Sequence, residues 1–528
     1  MKYDVIIIGG GHNGLVAAAF LAKKKLKVCV IEKSAVLGGC CATEELWPEF
    51  KVSPAAYVIS LFSSKIIKSL NLKKYGFKIL PRNPSSFTPL SNGKSLVLGH
   101  DEKGNIEEIG SFSVKDAIRY KEYEKYLTDV AKVLEPLMEK SPPVLPSPWR
   151  KLSVKNKIRN MARLSRSARA VKKLASLDAI RLMNGSAMEL LDEWFESDVL
   201  KATLATDAVI GAHISPSDAG SAYVLLHHVM GDAGGQRGVW GYVEGGMGGL
   251  ADSLEKCCLN YGVEFVKETE VRQIVVRNSK VEAVLTDSGY FETNVVASSV
   301  DANLTFNKLL DTPLPDGFLN AVNRIDYSSA SAKVNLALSG APEFTAAKNR
   351  DISCLNGTIH ISPSVSYIED AFEDSKQGKF SRKPVLEITI PSMVDKTIAP
   401  EGKHIMSIFV QYAPYKLSGG WNNKNKDALF NTCIETVGDY APNIKDLILH
   451  KQVLTPVDLE KKYGLTGGNI FQGAMSANQI YCFRPVSGYC DYRTPIDGLY
   501  MCGAATHPGG GVTGLSGRNG AYSILEDY

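Results

Sequence analysis

A strand, a glycine loop, a helix and a second strand follow one another in residues 4–32, DVIIIGGGHNGLVAAAFLAKKKLKVCVIE. This order predicts a βαβ unit in which the pyrophosphate of a dinucleotide contacts the N-terminus of the helix. A glycine turn that arose by chance is the alternative, but the motif has strand, helix, strand and a final acid in the expected order.

The glycines of the loop have separate expected roles. Gly9 permits a tight turn, Gly11 lets the backbone approach the phosphates, and Gly14 lets helix and strand pack closely. Glu32, at the end of the second strand, is expected to accept hydrogen bonds from a ribose hydroxyl. We interpret His12 as structural within this loop. The predicted cofactor contacts of the unit are Gly9, Gly11, His12, Asn13, Gly14, Glu32 and Lys33.

The length, composition and net charge of the chain limit the classes of protein to which it can belong. With 528 residues it exceeds one compact core, so two or three domains are expected. A hydrophobic fraction of 44% is that of an ordinary globular protein, and a net charge of +4 gives no reason to expect a nucleic-acid partner. The ten cysteines show no spacing typical of zinc sites, so we expect reduced core thiols and no metal.

The sequence contains no apolar run of about 18 residues, so no membrane-spanning helix is predicted. The first strand begins at residue 2 or 3, which leaves no room for a leader peptide, and we expect a cytoplasmic location. The oligomeric state is not constrained by the sequence.

A second glycine-dense segment lies near the other end of the chain, GLYMCGAATHPGGGVTGLSGRN at 498–519. Together with Leu37-Gly38-Gly39, it suits a cofactor long enough to be held at both ends, which favours FAD over NAD. The alternative is a glycine-rich turn made only for packing. Predicted FAD contacts here are Gly38, Gly39, Gly503, Gly511, Val512 and Gly514.

Residues 262–300 complete the predicted cofactor domain with a strand, a hairpin around Asn278-Ser279-Lys280 and a returning apolar strand. The predicted fold class is α/β, a Rossmann-type FAD-binding domain with an inserted α+β substrate domain. The first domain comprises residues 1–90, 235–300 and 455–528, and the second 91–234 and 301–454. Val271, Gly246 and Met247 are further predicted contacts, although Gly246-Met247 is also compatible with a plain turn into the next helix.

Strands are predicted in the substrate domain at 332–338, 386–390 and 405–410, as a sheet beneath the flavin. Residues 149–177 contain ten Lys or Arg residues and no acid. Val154, Ile158, Met161, Ala168 and Val171 recur at helical spacing. This segment predicts either a helix lying on an anionic membrane surface or a domain helix whose apolar stripe is core.

Several segments together resemble the FAD-dependent phytoene desaturase and carotenoid isomerase-like oxidoreductases, within the wider amine-oxidase-like flavoproteins. They are VIIIGGGHNGLVAAA at 5–19, VIEKSAVLGG at 30–39, ATEE at 42–45, RNPSSFTP at 82–89, GYVEGGMGGL at 241–250 and CGAATHPGGGVTGLSGRNGA at 502–521. The chain departs from many FAD proteins at Ala504, where an Asp commonly follows the glycine that ends the C-terminal strand. Its adjacent Cys40 and Cys41 also lack the spacing of flavin disulfide reductases.

The resemblance implies hydride transfer to FAD from, or isomerisation of, a hydrophobic, polyene or lipid-like substrate, with a quinone or O2 as the unassigned electron acceptor. A flavin-dependent amine oxidase and an FAD-bound scaffold with little turnover are the alternatives. Eukaryotic relatives also imply mitochondria as an alternative location.

Two residues are catalytic candidates. His507 is expected either to act as an acid or base near the flavin or to hydrogen-bond the glycine loop. Arg484 is expected to hold a polar group of the substrate or a carboxylate at the domain interface.

Overall fold

A five-stranded parallel sheet supports the first glycine loop. The computed structural model describes residues 2–233, 236–237 and 239–528, so the predicted boundary at residues 234 and 235 lies outside the described residues. In spatial order the strands are Glu264–Val266, Val28–Ile31, Val5–Ile8, Val296–Ser298 and Leu499–Met501. Val5–Ile8 and its neighbour Val28–Ile31 are wholly buried, as expected for a parallel sheet that is covered on both faces. The βαβ prediction is confirmed.

Three helices pack on one face of this sheet, and two of them bring the chain ends together. They are His12–Ala22, Gly248–Asn260 and Leu515–Asp527. A Cβ on Gly517 would lie 2.0 Å from the Asn13 carbonyl oxygen, so the last helix can pack on the first only with glycine there. The C-terminal glycine segment is therefore fixed beside the first loop.

The predicted hairpin forms a separate antiparallel sheet of Val271–Arg277, Lys280–Thr286 and Gly289–Glu292. Two short helices, Ala302–Asn307 and Asp316–Asn323, follow the return to the parallel sheet. Phe306 and Phe318 from these helices meet edge to face in the core beneath them.

A seven-stranded, mostly antiparallel sheet forms the second layer of the molecule. Its strands, in spatial order, are Ile448–Leu454, Ser331–Leu338, His404–Gln411, Val385–Thr389, Thr358–Ile361, Ser86–Pro89 and Ser95–Leu98. The strands predicted at 332–338, 386–390 and 405–410 are confirmed within one residue. The last two strands of the sheet come from either side of the predicted boundary at residue 90. The helices packed beside the sheet are Val365–Lys376, Asn423–Gly438, Ile444–Leu447 and Pro456–Tyr463.

A further set of helices lies beside the two large sheets. They are Ser64–Leu70, Glu102–Gly110, Val114–Met138, Val154–Ser176, Ala187–Trp194, Asp198–Ala205 and Ser221–Val229. Short strand pairs complete the fold: Glu44–Trp47 with Phe50–Val52, Ile79–Pro81 with Gly241–Val243, and Asp232–Ala233 with Gln236–Arg237.

The basic segment is a helix, Val154–Ser176, and its apolar stripe faces solvent. Ile158 and Met161 are 63% and 65% exposed, and Val154 and Val171 are also exposed. Arg163 instead points inward, where it contacts Asp491. The interpretation of this stripe as core is therefore wrong, because the helix buries mainly Ala170 and Leu174. No helix in the described part of the chain is long and apolar enough to cross a bilayer.

Candidate functional site

A cavity of about 860 Å³ extends from the first glycine loop to the seven-stranded sheet. Its lining includes Gly11 at one end and Lys333 and Glu387 at the other. Ligand sites of small molecules and cofactors occupy roughly 300–1,000 Å³. The cavity therefore has the size of a site for an organic ligand.

The glycine loop leaves space on one side and none on the other. A Cβ on Gly14 would lie 2.2 Å from the Gly9 carbonyl oxygen, so only glycine lets the helix start there. A Cβ on Gly11 would meet only the Gly38 oxygen at 3.9 Å, which leaves the cavity side open. The first N–H groups of a helix have no partner within the helix and favour an anion. These residues fit the pyrophosphate of a dinucleotide.

Glu32 is held at the end of the second strand with its carboxylate on the cavity wall. Its Oε2 accepts a hydrogen bond from Gly10 N at 2.7 Å, and its Oε1 accepts one from Ser34 N at 2.9 Å. The Glu32 carbonyl accepts a third from Thr269 N at 3.0 Å, which brings Val271 to the same part of the cavity. The acid is thus oriented beside the glycine loop, where a ribose would follow the pyrophosphate.

The predicted contacts in the C-terminal glycine segment divide into two groups. Gly511 and Val512 line the cavity with φ angles of 106° and 56°. Gly503 and Gly514 instead allow close packing, because their Cβ atoms would lie 2.1 Å from Ser299 O and 2.8 Å from the Phe62 ring.

Most of the predicted cofactor contacts meet at this cavity. Those among its lining residues are Gly9, Gly11, His12, Asn13, Glu32, Lys33, Gly38, Gly39, Val271, Gly511 and Val512. Gly14, Gly503 and Gly514 lie behind the wall, as described. Gly246 and Met247 line a separate, much smaller cavity, where Met247 N donates to Ser53 Oγ at 3.0 Å.

His507 and Arg484 are both outside the set of described residues that line the cavity. His507 is buried, and its Nε2 lies 3.0 Å from the Leu137 carbonyl oxygen, to which it donates. Burial lowers the pKa of His507 to about 4, so the ring is neutral. This contact ties the glycine segment to the helix Val114–Met138 rather than placing a titratable group in the cavity.

Arg484 is bonded to backbone carbonyl groups rather than to a carboxylate. It is 2% exposed and donates to the oxygens of Phe471, Gly473 and Ala504, among others. Burial lowers its pKa to about 10, so the guanidinium stays charged at neutral pH. Its geometry is that of a residue that holds two loops together behind the cavity wall.

The other end of the cavity carries a polar cluster that sequence reasoning did not find. Its members come from six separate segments, and all line the cavity: Tyr57, Arg82, Asp207, Lys333, His360 and Glu387. Apolar residues surround the cluster, among them Leu61, Leu127, Leu225, Val229, Phe409 and Ile470. The chamber at this end therefore has apolar walls and one polar pole.

Within the cluster, the buried groups contact one another. The Tyr57 hydroxyl donates to Glu387 Oε2 at 3.3 Å, and His360 Nδ1 lies 3.8 Å from Glu387 Oε1. Lys333 Nζ donates to Ser407 Oγ at 2.6 Å and lies 3.5 Å from the centre of the Tyr57 ring.

Desolvation shifts the protonation of these groups. Burial raises the pKa of Asp207 to about 7 and that of Glu387 to about 8. Burial lowers the pKa of His360 to about 3 and that of Lys333 well below its ordinary value. At neutral pH, Glu387 is thus mainly a protonated acid and Lys333 has a weakened hold on its proton.

A signal for part of the cluster was present in the sequence. Lys333, His360 and Glu387 are the single ionisable residues of three buried strands, SAKVNLAL, TIHI and VLEIT. A charged residue in a buried strand is rarely tolerated without a partner or a function.

Known proteins are similar in sequence to this chain over nearly its full length. Residues 7–70 match the family described as NAD(P)-binding Rossmann-like domain. The chain is 40% identical to "Pyridine nucleotide-disulfide oxidoreductase domain-containing protein 2" of Rattus norvegicus, across 100% of this chain and 94% of the relative. It is 23% identical to a phytoene desaturase of Fusarium fujikuroi, across 97% of this chain and 87% of the relative.

A solved structure confirms the fold class. The structure of putrescine oxidase bound to putrescine has a TM-score of 0.60 and 16% identity, covering 100% of this chain and 99% of that one. At that identity the likeness is one of fold alone. The sequence resemblance to the phytoene desaturase group is confirmed.

Proposed function

This chain belongs to the family of pyridine nucleotide-disulfide oxidoreductase domain-containing protein 2, and we propose that it is an FAD-dependent oxidoreductase acting on a hydrophobic organic molecule. One observation carries the proposal. A single cavity joins a glycine cradle for a dinucleotide to a chamber with apolar walls. Such a cavity lets a cofactor and an apolar substrate meet away from water.

The cavity wall has groups suited to the pyrophosphate and the adenosine ribose of FAD. The backbone at Gly11, His12 and Asn13 would hold the pyrophosphate, and Glu32 would bind the adenosine ribose. Gly511 and Val512 would contact the cofactor toward the chamber. When bound, FAD supplies a ring that accepts a hydride.

The chamber would orient the substrate, exclude water from it and provide a group that accepts the proton released in the reaction. Oxidation of a C–C or C–N bond releases a proton together with the hydride. Lys333 Nζ lines the chamber, and burial lowers its pKa, which favours the neutral amine, the form that can accept that proton. The apolar walls exclude water around it.

Thiol–disulfide exchange is not favoured despite the family's name. Cys40 and Cys41 are free thiols. Burial raises the pKa of Cys40 to about 12 and raises that of Cys41 as well. Because the thiolate is the reactive form, both residues are better suited to packing than to redox exchange.

The test is reduction of the bound flavin without oxygen. Purified protein is mixed with a polyene hydrocarbon, an unsaturated long-chain lipid or a primary amine, and the FAD absorbance is followed. We expect bleaching with a hydrophobic compound and recovery on adding O2 or a quinone. Product formation without net bleaching would indicate isomerisation. Bleaching by the amine and by no other compound would indicate an amine oxidase. The proposal fails if no compound bleaches the flavin and dithionite-reduced protein is not reoxidised.

We also propose that the helix Val154–Ser176 binds an anionic membrane surface, from which an apolar substrate enters. The exposed stripe of Ile158 and Met161 lies on a helix whose segment has ten cations and no acid. Such a helix combines apolar insertion with attraction to anionic lipids. Each exposed cation near the surface adds about 1 kcal/mol.

Co-sedimentation with vesicles tests this surface. We expect binding to vesicles containing phosphatidylserine, weaker binding to neutral vesicles, and at least tenfold loss in Ile158→Ser/Met161→Ser. Leu259→Ser is the matched control, because Leu259 is 55% exposed on another helix. Equal recovery with both vesicle types, or equal binding by the double variant, contradicts the proposal. Arg163 is unsuitable for such a test, since its contact with Asp491 supports the fold.

A further inference from the structure

Arg82 is a buried cation on the cavity wall whose donors are not all satisfied. It is 5% exposed, and its Nε and Nη1 have no hydrogen-bond partner within the described part of the chain. The Tyr242 ring lies 6.0 Å from its guanidinium carbon, which is an aromatic contact rather than a counter-ion. A buried guanidinium with unpaired N–H groups is costly unless an acceptor completes it.

Neither described acid of the cluster accepts a hydrogen bond from Nε or Nη1 of Arg82, although the charge of Arg82 acts against the effect of burial on the pKa of Asp207 and of Glu387. Glu387 receives the Tyr57 hydroxyl and lies next to His360 instead. Burial raises the pKa of Glu387 to about 8 and of Asp207 to about 7, which weakens both as anions near neutral pH. Arginine, by contrast, remains charged in proteins. The polar pole thus has a surplus of donors, and a cationic ligand would face Arg82 unfavourably.

A carboxylate matches this arrangement. Its two oxygens can accept from the planar guanidinium in a bidentate manner, and protonated acids beside it can donate further hydrogen bonds. The apolar residues around the pole, such as Leu127 and Val229, would bury an attached hydrocarbon body.

We propose that Arg82 binds a carboxylate of the substrate, so that the substrate of this chain is an amphipathic acid with an apolar body rather than a hydrocarbon. The inference rests on the proposed function only in taking the chamber to be the substrate site. It concerns binding, and its test requires no turnover.

The test compares trans-parinaric acid, a fluorescent polyene acid, with its methyl ester. The two share an apolar body and differ in charge. FAD-loaded protein is titrated with each, and bound ligand is followed by fluorescence. We expect the acid to bind at least tenfold more tightly than the ester, a difference of about 1.4 kcal/mol. Wild-type protein that binds the ester as tightly as the acid, or binds neither, overturns the inference.

Variants at Arg82 assign the preference to that residue. We expect Arg82→Met to lose the preference for the acid, to bind the ester as before and to keep its FAD, while Arg82→Lys retains part of the preference. A preference that survives in Arg82→Met overturns the inference. Loss of FAD from Arg82→Met does so too, because it would assign Arg82 to the cofactor.

The two proposals can fail separately. Acid preference in a protein whose flavin no compound reduces would support this inference and contradict the oxidoreductase. Flavin reduction by a neutral hydrocarbon in a protein without acid preference would support the oxidoreductase and contradict this inference.

Discussion

At the proposed cofactor end of the cavity most of the expected binding groups are backbone N–H groups exposed by glycines, with the Glu32 carboxylate beside them, whereas the groups at the proposed substrate end are ionisable side chains. Gly9, Gly11 and Gly14 lie within six consecutive residues. Arg82, Lys333 and Glu387 are brought together only by the folding of the seven-stranded sheet and its neighbours.

The difference shows how each end depends on the rest of the fold. A phosphate site made of N–H groups at a helix terminus needs only local geometry. The polar pole needs burial, since desolvation is what shifts the pKa values of Glu387 and Lys333. We expect substitutions at the first end to act on cofactor binding and those at the second to act through protonation.

Filling the space in front of the first glycine loop, residues 9–14, is expected to have the largest effect on cofactor binding. Gly11→Leu should abolish FAD binding, because the larger side chain would extend into the open space in front of Gly11. Its Cβ has room, so the protein should still fold. The measurement is the ratio of flavin to protein absorbance after purification.

Gly340→Leu is the matched control, since a Cβ there would meet only Leu447 at 3.7 Å. It should keep its full FAD content. A Gly11→Leu protein with undiminished flavin would show that the cofactor does not lie against this loop.

The sequence predicted the strand–loop–helix unit at the first end well because a phosphate loop requires glycine at fixed spacing. The sequence could not show whether a glycine is required by a ligand or by a neighbouring protein atom that would clash with a Cβ. Gly503 and Gly514 carry the same signal as Gly11, yet Ser299 O and the Phe62 ring, not a ligand, require glycine there.

The polar pole was missed for a different reason. Strand pairing brings His360 opposite Glu387, and that register is not encoded in any local spacing. His507 follows a recognisable motif, but the helix that ends at Met138 covers it. Local patterns therefore predicted the parallel sheet and the strands of the second sheet, while contacts between distant segments required the structure.

At the proposed substrate end, Lys333 should make the stability of the protein depend on pH. Burial lowers the pKa of Lys333 well below its ordinary value of 10.5, so folding releases a proton at any pH between the two values. The stability of wild type relative to Lys333→Met should therefore rise with pH up to about 10.5, by about 1.4 kcal/mol per pH unit. Urea unfolding of both proteins between pH 8.5 and about 10 measures this slope.

Val334→Ala controls for lost packing. Val334 is buried on the same strand and has no ionisable group, so its effect on the free energy of unfolding should not change with pH. A flat difference for Lys333→Met over the same range would mean that the lysine is charged in the folded protein.

Glu387 should show the opposite slope. Burial raises its pKa from 4.5 to about 8, so the folded protein holds a proton that the unfolded chain has lost between these values. The stability of wild type relative to Glu387→Gln should fall as pH rises from about 5 to 8 and become constant above that. Urea unfolding at pH 5.5, 6.5, 7.5 and about 8.5 gives the measurement, with Ile388→Val as the neighbouring control. A difference that rises with pH would mean that Glu387 is ionised when folded, and the polar pole would then hold a carboxylate of its own against Arg82.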